Sequence, residues 1–339
     1  MGYWLSAEQA EVLISELKTR FRIYAPARFS GGATFSDQDC IRYREIDHLG
    51  EIEFQKKSDY SFKEILIPLC QTLLYFTEEK VSEPEAPILD AVVFLRSCDL
   101  HAVKRLDEIY LHNGPADSYY EKLRGHVRFV LMGCREAFES CFCVDMGTNR
   151  SENYDFSMEP AENGFAVDSR DEKLNAILDR LGARKETVVP SAVTETRTHV
   201  HIPENLSAEV RRSKMWDEYD TRCIACGRCN FVCPTCTCFT MQDLFYSENG
   251  RVGERRRVQA SCMVDGFTDV AGGASYRKKN GERMRFKVLH KVLDFKQRFG
   301  YQMCVGCGRC DDVCPEYISF SNCLNKLDDA MKEVSGDGK

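Results

Sequence analysis

Apolar residues recur at helical spacing early in the chain. Val12, Leu13, Leu17 and Phe21 share one face, Ser6 stands at the N-cap and Glu8 lies in the first turn, which predicts an amphipathic helix over 6–21. Residues 22–60 are mixed, with short strands expected at 22–25 and 51–54 around a turn at Gly31-Gly32. A helix is expected over 61–78, carrying Cys70. Residues 91–95 are a short, continuous apolar run, the pattern of a buried parallel strand. A helical pattern follows to about Tyr110, and 127–132 is a second such strand. Strand, helix and strand together imply a crossover in an α/β sheet. Residues 151–200 alternate polar and apolar positions, which suggests an antiparallel addition followed by a helix over 171–182. The segment 184–206, with Pro190 and Pro203, reads as a linker. Beyond it, helices are expected at 209–220, 242–247, 287–299 and 321–334. The fold expected is an α+β or α/β domain over 1–200, then a mostly α-helical domain over 201–339.

Two cysteine runs dominate the second half. Cys223, Cys226, Cys229 and Cys233-Pro234 repeat as Cys304, Cys307, Cys310 and Cys314-Pro315, both in the form C-x2-C-x2-C-x3-C-P. This spacing binds [4Fe–4S] clusters in two-cluster ferredoxins. Three thiolates at three-residue intervals can wrap one cubane. The fourth, before proline, points away to the other cluster. The spacing therefore assigns Cys223, Cys226, Cys229 and Cys314 to one cluster. It assigns Cys304, Cys307, Cys310 and Cys233 to the second. Zinc knots use two separated C-x2-C pairs, which leaves the third cysteine of each run unexplained. The spacer between the runs is long, roughly 236–303, unlike a compact bacterial ferredoxin.

Four more thiols fall in the first half. Cys98 and Cys134 follow the two predicted parallel strands, and Cys141 and Cys143 lie close behind. Loops at the carboxyl edge of an α/β sheet are where ligands bind. Four soft ligands there suit a third [4Fe–4S] cluster or zinc, while buried structural thiols are the plain alternative. Asp99 and His101 could tune such a site from its second layer or cap the following helix. Cys236, Cys238 and Cys262 are left over near the ferredoxin runs, where packing is the simple reading. Cys40, Cys70 and Cys323 look isolated.

Composition narrows this picture. The chain has 339 residues, 43% hydrophobic, enough for two domains, and a net charge of −7. An acidic chain without aromatic-interleaved basic stretches does not read as a nucleic-acid binder. The first residues lack the basic and apolar regions of an export signal, and no apolar run reaches the length of a membrane span. Met1-Gly2 followed by Ser6 fits a myristoylation pattern that matches often by chance. Eighteen cysteines without export mean metal chemistry in a reducing compartment, the cytoplasm. The spacer is locally basic at Arg255–Arg257, Arg277–Lys279, Arg283, Arg285 and Lys287. Such runs are usually solvated; here they could also offset cluster charge or dock an acidic partner. No dinucleotide fingerprint, Walker A loop, haem motif, metalloprotease helix or nucleophile elbow occurs. Several electron-carrying sites and no visible substrate site describe an electron-transfer subunit rather than a catalytic one.

The segments Cys98-Asp-Leu-His-Ala, Cys141-Phe-Cys-Val-Asp-Met-Gly, Cys233-Pro-Thr-Cys-Thr-Cys-Phe and Cys304-Val-Gly-Cys-Gly-Arg-Cys together resemble the iron–sulfur electron-transfer subunit of the anaerobic, NADH-dependent sulfite reductase. The beta subunit of archaeal sulfhydrogenases is similar. The resemblance runs from about residue 60 onward and is looser before it. It implies a relay between a FAD and [2Fe–2S] subunit that oxidises NADH and a sirohaem subunit that reduces sulfite. It also implies that the two ferredoxin sets, and with them Cys98, Cys134, Cys141 and Cys143, bind clusters. Ser97 before Cys98, where the sulfhydrogenases have proline, favours the sulfite branch. The alternatives are a sulfhydrogenase-type NiFe complex, or a stand-alone thiol–disulfide reductase working through Cys236 and Cys238.

Overall fold

A fully apolar strand anchors the largest sheet. The computed structural model describes residues 2–33, 37–85 and 88–336. Contacts divide these into two units, the first drawn from residues 1–62, 88–198 and 305–307, the second from 63–87, 199–304 and 308–339.

The chain opens with β1 (Gly2–Leu5), α1 (Ala7–Lys18), β2 (Arg22–Phe29) and β3 (Cys40–Glu45). Next come β4 (Cys70–Phe76) and β5 (Val81–Ser82), which belong to the second unit. The first unit resumes with β6 (Ala91–Leu95), α2 (Ser97–Leu111), α3 (Ser118–Gly125) and β7 (Val127–Leu131). It closes with β8 (Phe156–Ala161), β9 (Gly164–Ser169), α4 (Glu172–Arg180) and β10 (Arg184–Lys185). Its sheet has the order β10-β1-β9-β8-β7-β6-β2-β3. The central pairs β2–β6, β6–β7 and β7–β8 are parallel, and the flanking pairs are antiparallel.

All five residues of β6 are buried, as its unbroken apolar run requires. The α1 helix starts where Ser6 accepts from Gln9 N and Gln9 answers to the Ser6 backbone, a capping box. Leu13, Ile14 and Leu17 of α1 pack into one core with Val92, Phe94, Val130 and Met158. Val12, assigned to the same face by spacing, is instead 44% exposed. Residues 51–54 form no strand; a 3-10 turn, Leu49–Glu51, stands there, with Glu51 bonded to the His48 backbone.

The second unit corrects two larger expectations. Residues 61–78 are not a helix: Phe62–Ile65 is a short 3-10 turn and β4 follows. Pro68 lacks an N–H and breaks a helical reading at mid-segment. Residues 242–247 are not a helix either, because β11 (Phe239–Phe245) and β12 (Gly253–Gln259) form a hairpin. The hairpin turn contains Asn249-Gly250, with Gly250 at φ +68, a turn signal that takes this backbone at no steric cost. These strands build a sheet in the order β11-β12-β4-β5, all antiparallel. The unit is therefore mixed α and β, not mostly helical.

Its helices are α5 (Glu218–Arg222), α6 (Arg228–Phe231), α7 (Asn280–Leu289), α8 (Phe295–Phe299), α9 (Arg309–Asp312), α10 (Phe320–Asn325) and α11 (Leu327–Ser335). Between β12 and α7 lies a short hairpin of β13 (Asp269–Val270) and β14 (Ala274–Ser275). A π-helical turn, His290–Asp294, joins α7 to α8. The helix expected at 287–299 is thus real but starts seven residues earlier, at Asn280.

Candidate metal centres

The two cysteine runs fold alike. Ala225 and Gly306 occupy the same offset in each run, at φ +56 and +65. Gly227 and Gly308 follow, at φ +75 and +71, and start α6 and α9. Left-handed residues at the same two offsets turn both loops the same way, so the duplication read from spacing is also one of backbone. At Gly306 a side chain is excluded on two counts, because a Cβ would also lie 2.6 Å from the Phe142 carbonyl oxygen.

In the second unit, Cys223, Cys226, Cys229, Cys310 and Cys314 line one pocket. Met263, Met284, Ile318 and Phe320 wall it with apolar atoms, and Lys287 borders it. Backbone N–H groups already aim at sulfur: Ala225 N donates to Cys223 Sγ at 3.4 Å and Ile318 N to Cys314 Sγ at 3.3 Å. Soft thiols, dry walls and N–H donors to sulfur are the environment a four-iron cluster needs. The first predicted set, Cys223, Cys226, Cys229 and Cys314, is brought together here.

Of the second set, Cys233 lies beside Lys291, whose Nζ donates to Cys233 Sγ at 3.3 Å and to Thr235 Oγ1 at 2.9 Å. The Cys233 thiol is held well below its usual range by its bond with Cys236 and by Lys291 and Lys63. Burial would lower the Lys287 ammonium, but Cys229 and Cys310 beside it raise it well above normal. Burial likewise opposes Lys291, and Cys233, Cys236 and Cys304 raise it. Two lysines four residues apart, both buried, thus face thiols of both runs. Cys307 falls in the first unit. Its carbonyl accepts from Lys57 Nζ at 3.0 Å and Cys141 Sγ at 3.5 Å.

The first unit holds the remaining set, Cys98, Cys134, Cys141 and Cys143. Leu95 and Leu131 are register partners in β6 and β7, and Cys98 and Cys134 each stand three residues beyond them. Arg96 Nη1 donates to the Gly133 carbonyl at 3.0 Å and to Cys134 Sγ at 3.5 Å. Cys141 and Cys143 are buried. Burial, with Cys141, Cys134 and Cys307 as neighbours, pushes the Cys143 thiol up to about 12. Thr148 ties this loop down, its Oγ1 donating to Val305 O at 2.7 Å while its own carbonyl accepts from Ser97 Oγ at 2.9 Å. Asp99 is fully buried in the first turn of α2. His101 Nε2 lies 2.7 Å from the Arg150 carbonyl, and burial lowers the imidazole's proton affinity.

Most of the basic spacer is occupied structurally. Arg255 pairs with Asp243 at 2.7 Å, Arg256 with Glu254, Arg257 with Gln71 at 2.8 Å and Arg283 with Asp265. Sequence reasoning singled out Lys287 only as part of that run and passed over Lys63 and Lys291.

Residues 222–318 match the 4Fe-4S dicluster domain family. The sulfhydrogenase 2 subunit beta of Pyrococcus furiosus is 26% identical over 346 residues, spanning 96% of this chain and 98% of that protein. No solved structure matches. The chain is therefore an iron–sulfur protein related to a sulfhydrogenase beta subunit. Among the described residues no helix is long and apolar enough to cross a membrane.

Proposed function

We propose that this chain is the iron–sulfur relay subunit of a hydrogenase-type complex. The pocket of five motif cysteines bordered by a buried lysine carries the reading, and the near full-length relative supplies the class of complex. Cys223, Cys226, Cys229 and Cys314 hold one [4Fe–4S] cluster, and Cys304, Cys307, Cys310 and Cys233 the other. Cys98, Cys134, Cys141 and Cys143 hold a third at the edge of the parallel strands. Bound clusters accept and release single electrons. The chain's own residues fix their ligands, exclude water and supply positive charge through Lys287 and Lys291. No side chain performs acid–base chemistry on a substrate. The partners are a FAD and [2Fe–2S] subunit that oxidises NAD(P)H and a NiFe subunit.

A sirohaem partner that reduces sulfite is the second reading, favoured by Ser97 before Cys98. The test is anaerobic purification of the intact complex, with nickel and sirohaem both assayed. Nickel without sirohaem supports the hydrogenase reading, and sirohaem without nickel supports the other. Cys226→Ser must abolish electron flow from NAD(P)H to the terminal acceptor while the flavin partner still reduces a dye. Surviving turnover in that variant would refute the relay. Cys141→Ser with Cys143→Ser should remove about four irons per chain, one cluster's content; unchanged iron would limit the protein to its dicluster domain.

A further inference from the structure

One edge of the second unit's sheet is open and apolar. β11 is the outermost strand of the order β11-β12-β4-β5, and among the described residues no strand pairs with its far side. Every residue of β11 is exposed, and Phe239, Met241, Leu244 and Phe245 are large and apolar. An unpaired edge invites another strand, and proteins ordinarily guard it with lysine, proline, a bulge or shortness. The opposite edge is guarded: β5 is only Val81–Ser82, with Lys80 before it and Pro84 close behind. β11 has no lysine and no proline, and the sheet's register shift lies between β12 and β4.

Pairing with β12 decides which backbone groups of β11 face outward. Tyr246 N donates to the Val252 carbonyl at 2.8 Å and Ala260 N to the Cys238 carbonyl at 2.9 Å. Both pairs continue the β11–β12 register. Hydrogen-bonded pairs alternate along an antiparallel ladder, so the even-numbered residues of β11 are bonded to β12. The N–H and C=O groups of Phe239, Met241, Asp243 and Phe245 point away from it.

This edge fits itself. A two-fold axis through Gln242 sets Phe239 of one copy opposite Phe245 of the other, and Met241 opposite Asp243. Outward residues then meet outward residues, and each pair can exchange both of its N–H···O bonds. An axis between two residues would set outward groups against groups already bonded. Charge excludes another choice. Asp243 is the one charged residue of β11, and an axis through it would set two carboxylates directly opposite, which is destabilising. An axis through Met241 would leave Phe245 opposite Thr237, outside the strand. About Gln242 the carboxylate meets Met241 instead, and Arg255 of its own chain neutralises it, through Nε at 2.7 Å and Nη2 at 2.8 Å. The aromatic rings agree. Phe76 of β4 packs edge-on against Phe245, with ring centroids 6.0 Å apart. Phe239 of the other copy extends that pair into a row, a favourable cross-strand arrangement.

We propose that β11 is a homodimer interface, on which a second copy of this chain pairs antiparallel about Gln242. The same strand serves both copies, as a closed two-fold interface requires.

The test uses the full chain purified anaerobically, as wild type, as Met241→Pro and as Phe239→Lys/Phe245→Lys. Mass is read by light scattering over a wide range of concentration, and iron is counted per chain. Wild type should reach twice the chain mass. Proline at 241 removes an N–H that β12 does not use, so it blocks the edge and spares the hairpin. The lysine pair sets like charges opposite each other. Both variants should stay at one chain's mass with iron unchanged. In wild type the amides of Met241 and Asp243 should exchange hydrogen roughly tenfold more slowly than in the lysine variant, while those of Gln242 and Leu244 match. That comparison decides the matter if Met241→Pro does not fold. Wild type at one chain's mass throughout, doubled mass in the folded variants, or equal exchange would overturn the proposal. Protection of those amides only when another subunit is bound would make that subunit the occupant and equally overturn it. None of these outcomes depends on which clusters the chain holds, so the relay reading is tested separately.

Discussion

The buried lysines between the cysteine runs should set how easily the clusters are reduced. Lys291 Nζ lies 3.3 Å from Cys233 Sγ and its side chain is buried, so salt screens it little. Unit charges at that separation attract by about 5 kcal/mol at an effective dielectric constant of 20. An electron added to the cluster spreads beyond one sulfur, with its centre roughly twice as far away, which leaves about 2.5 kcal/mol. For a one-electron couple that corresponds to about 110 mV. Lys291→Met keeps the length of the side chain and removes its charge. The cluster ligated by Cys233 should become harder to reduce by about 100 mV, read by EPR-monitored redox titration. Lys291→Arg should restore most of the difference. Lys287→Met should move both dicluster potentials, because Lys287 faces Cys229 and Cys310, one from each set. A shift below about 20 mV, or a rise in potential, would show that electrostatic compensation by these lysines is not what sets the potential.

Two backbone features give further predictions. Gly306→Ala places a Cβ 2.6 Å from the Phe142 oxygen at φ +65, and should cost roughly 1–3 kcal/mol in denaturant unfolding. Gly147→Ala is the control, since its φ is +63 but nothing lies within 4 Å of the added carbon; an equal loss in both would refute the clash argument. Ser6→Ala removes the N-cap acceptor for Gln9 N and should destabilise α1 by about 1 kcal/mol. Hydrogen exchange of the α1 amides should quicken roughly fivefold, the factor that energy implies, and unaltered exchange would show the cap to be dispensable.

What could be read from the sequence was local. The 91–95 and 127–132 runs became β6 and β7 because mostly apolar runs fit central strands: β6 is buried at all five positions and β7 at every position except Arg128. The alternation near 156–169 became the β8–β9 hairpin for the same kind of reason. The duplicated cysteine spacing carries its chemistry within one short loop, and the structure repeats the same left-handed turns in both copies. The sulfite reductase reading rested on four cysteine-bearing segments, with Ser97 tilting it towards the sulfite branch; the near full-length sulfhydrogenase relative fits the alternative better. The two helices wrongly expected at 61–78 and 242–247 both carried contrary signals, Pro68 and Asn249-Gly250.

Those two errors share a consequence. As helices, 61–78 and 242–247 have no reason to meet. As β4 and β11 they flank β12 in one antiparallel sheet. Antiparallel pairing then fixes which ends adjoin: the entry to β4, the entry to β11 and the exit from β12. Cys70 begins β4, Cys238 directly precedes β11 and Cys262 lies three residues beyond β12. Lys63 lies 167 residues from Asn230, whose carbonyl it reaches at 3.0 Å. No spacing rule links residues so far apart. The ferredoxin thiols were legible because one short loop brings each set's first three together. The places of Cys70, Cys238 and Cys262 could not be read because a β-sheet, not a loop, sets them.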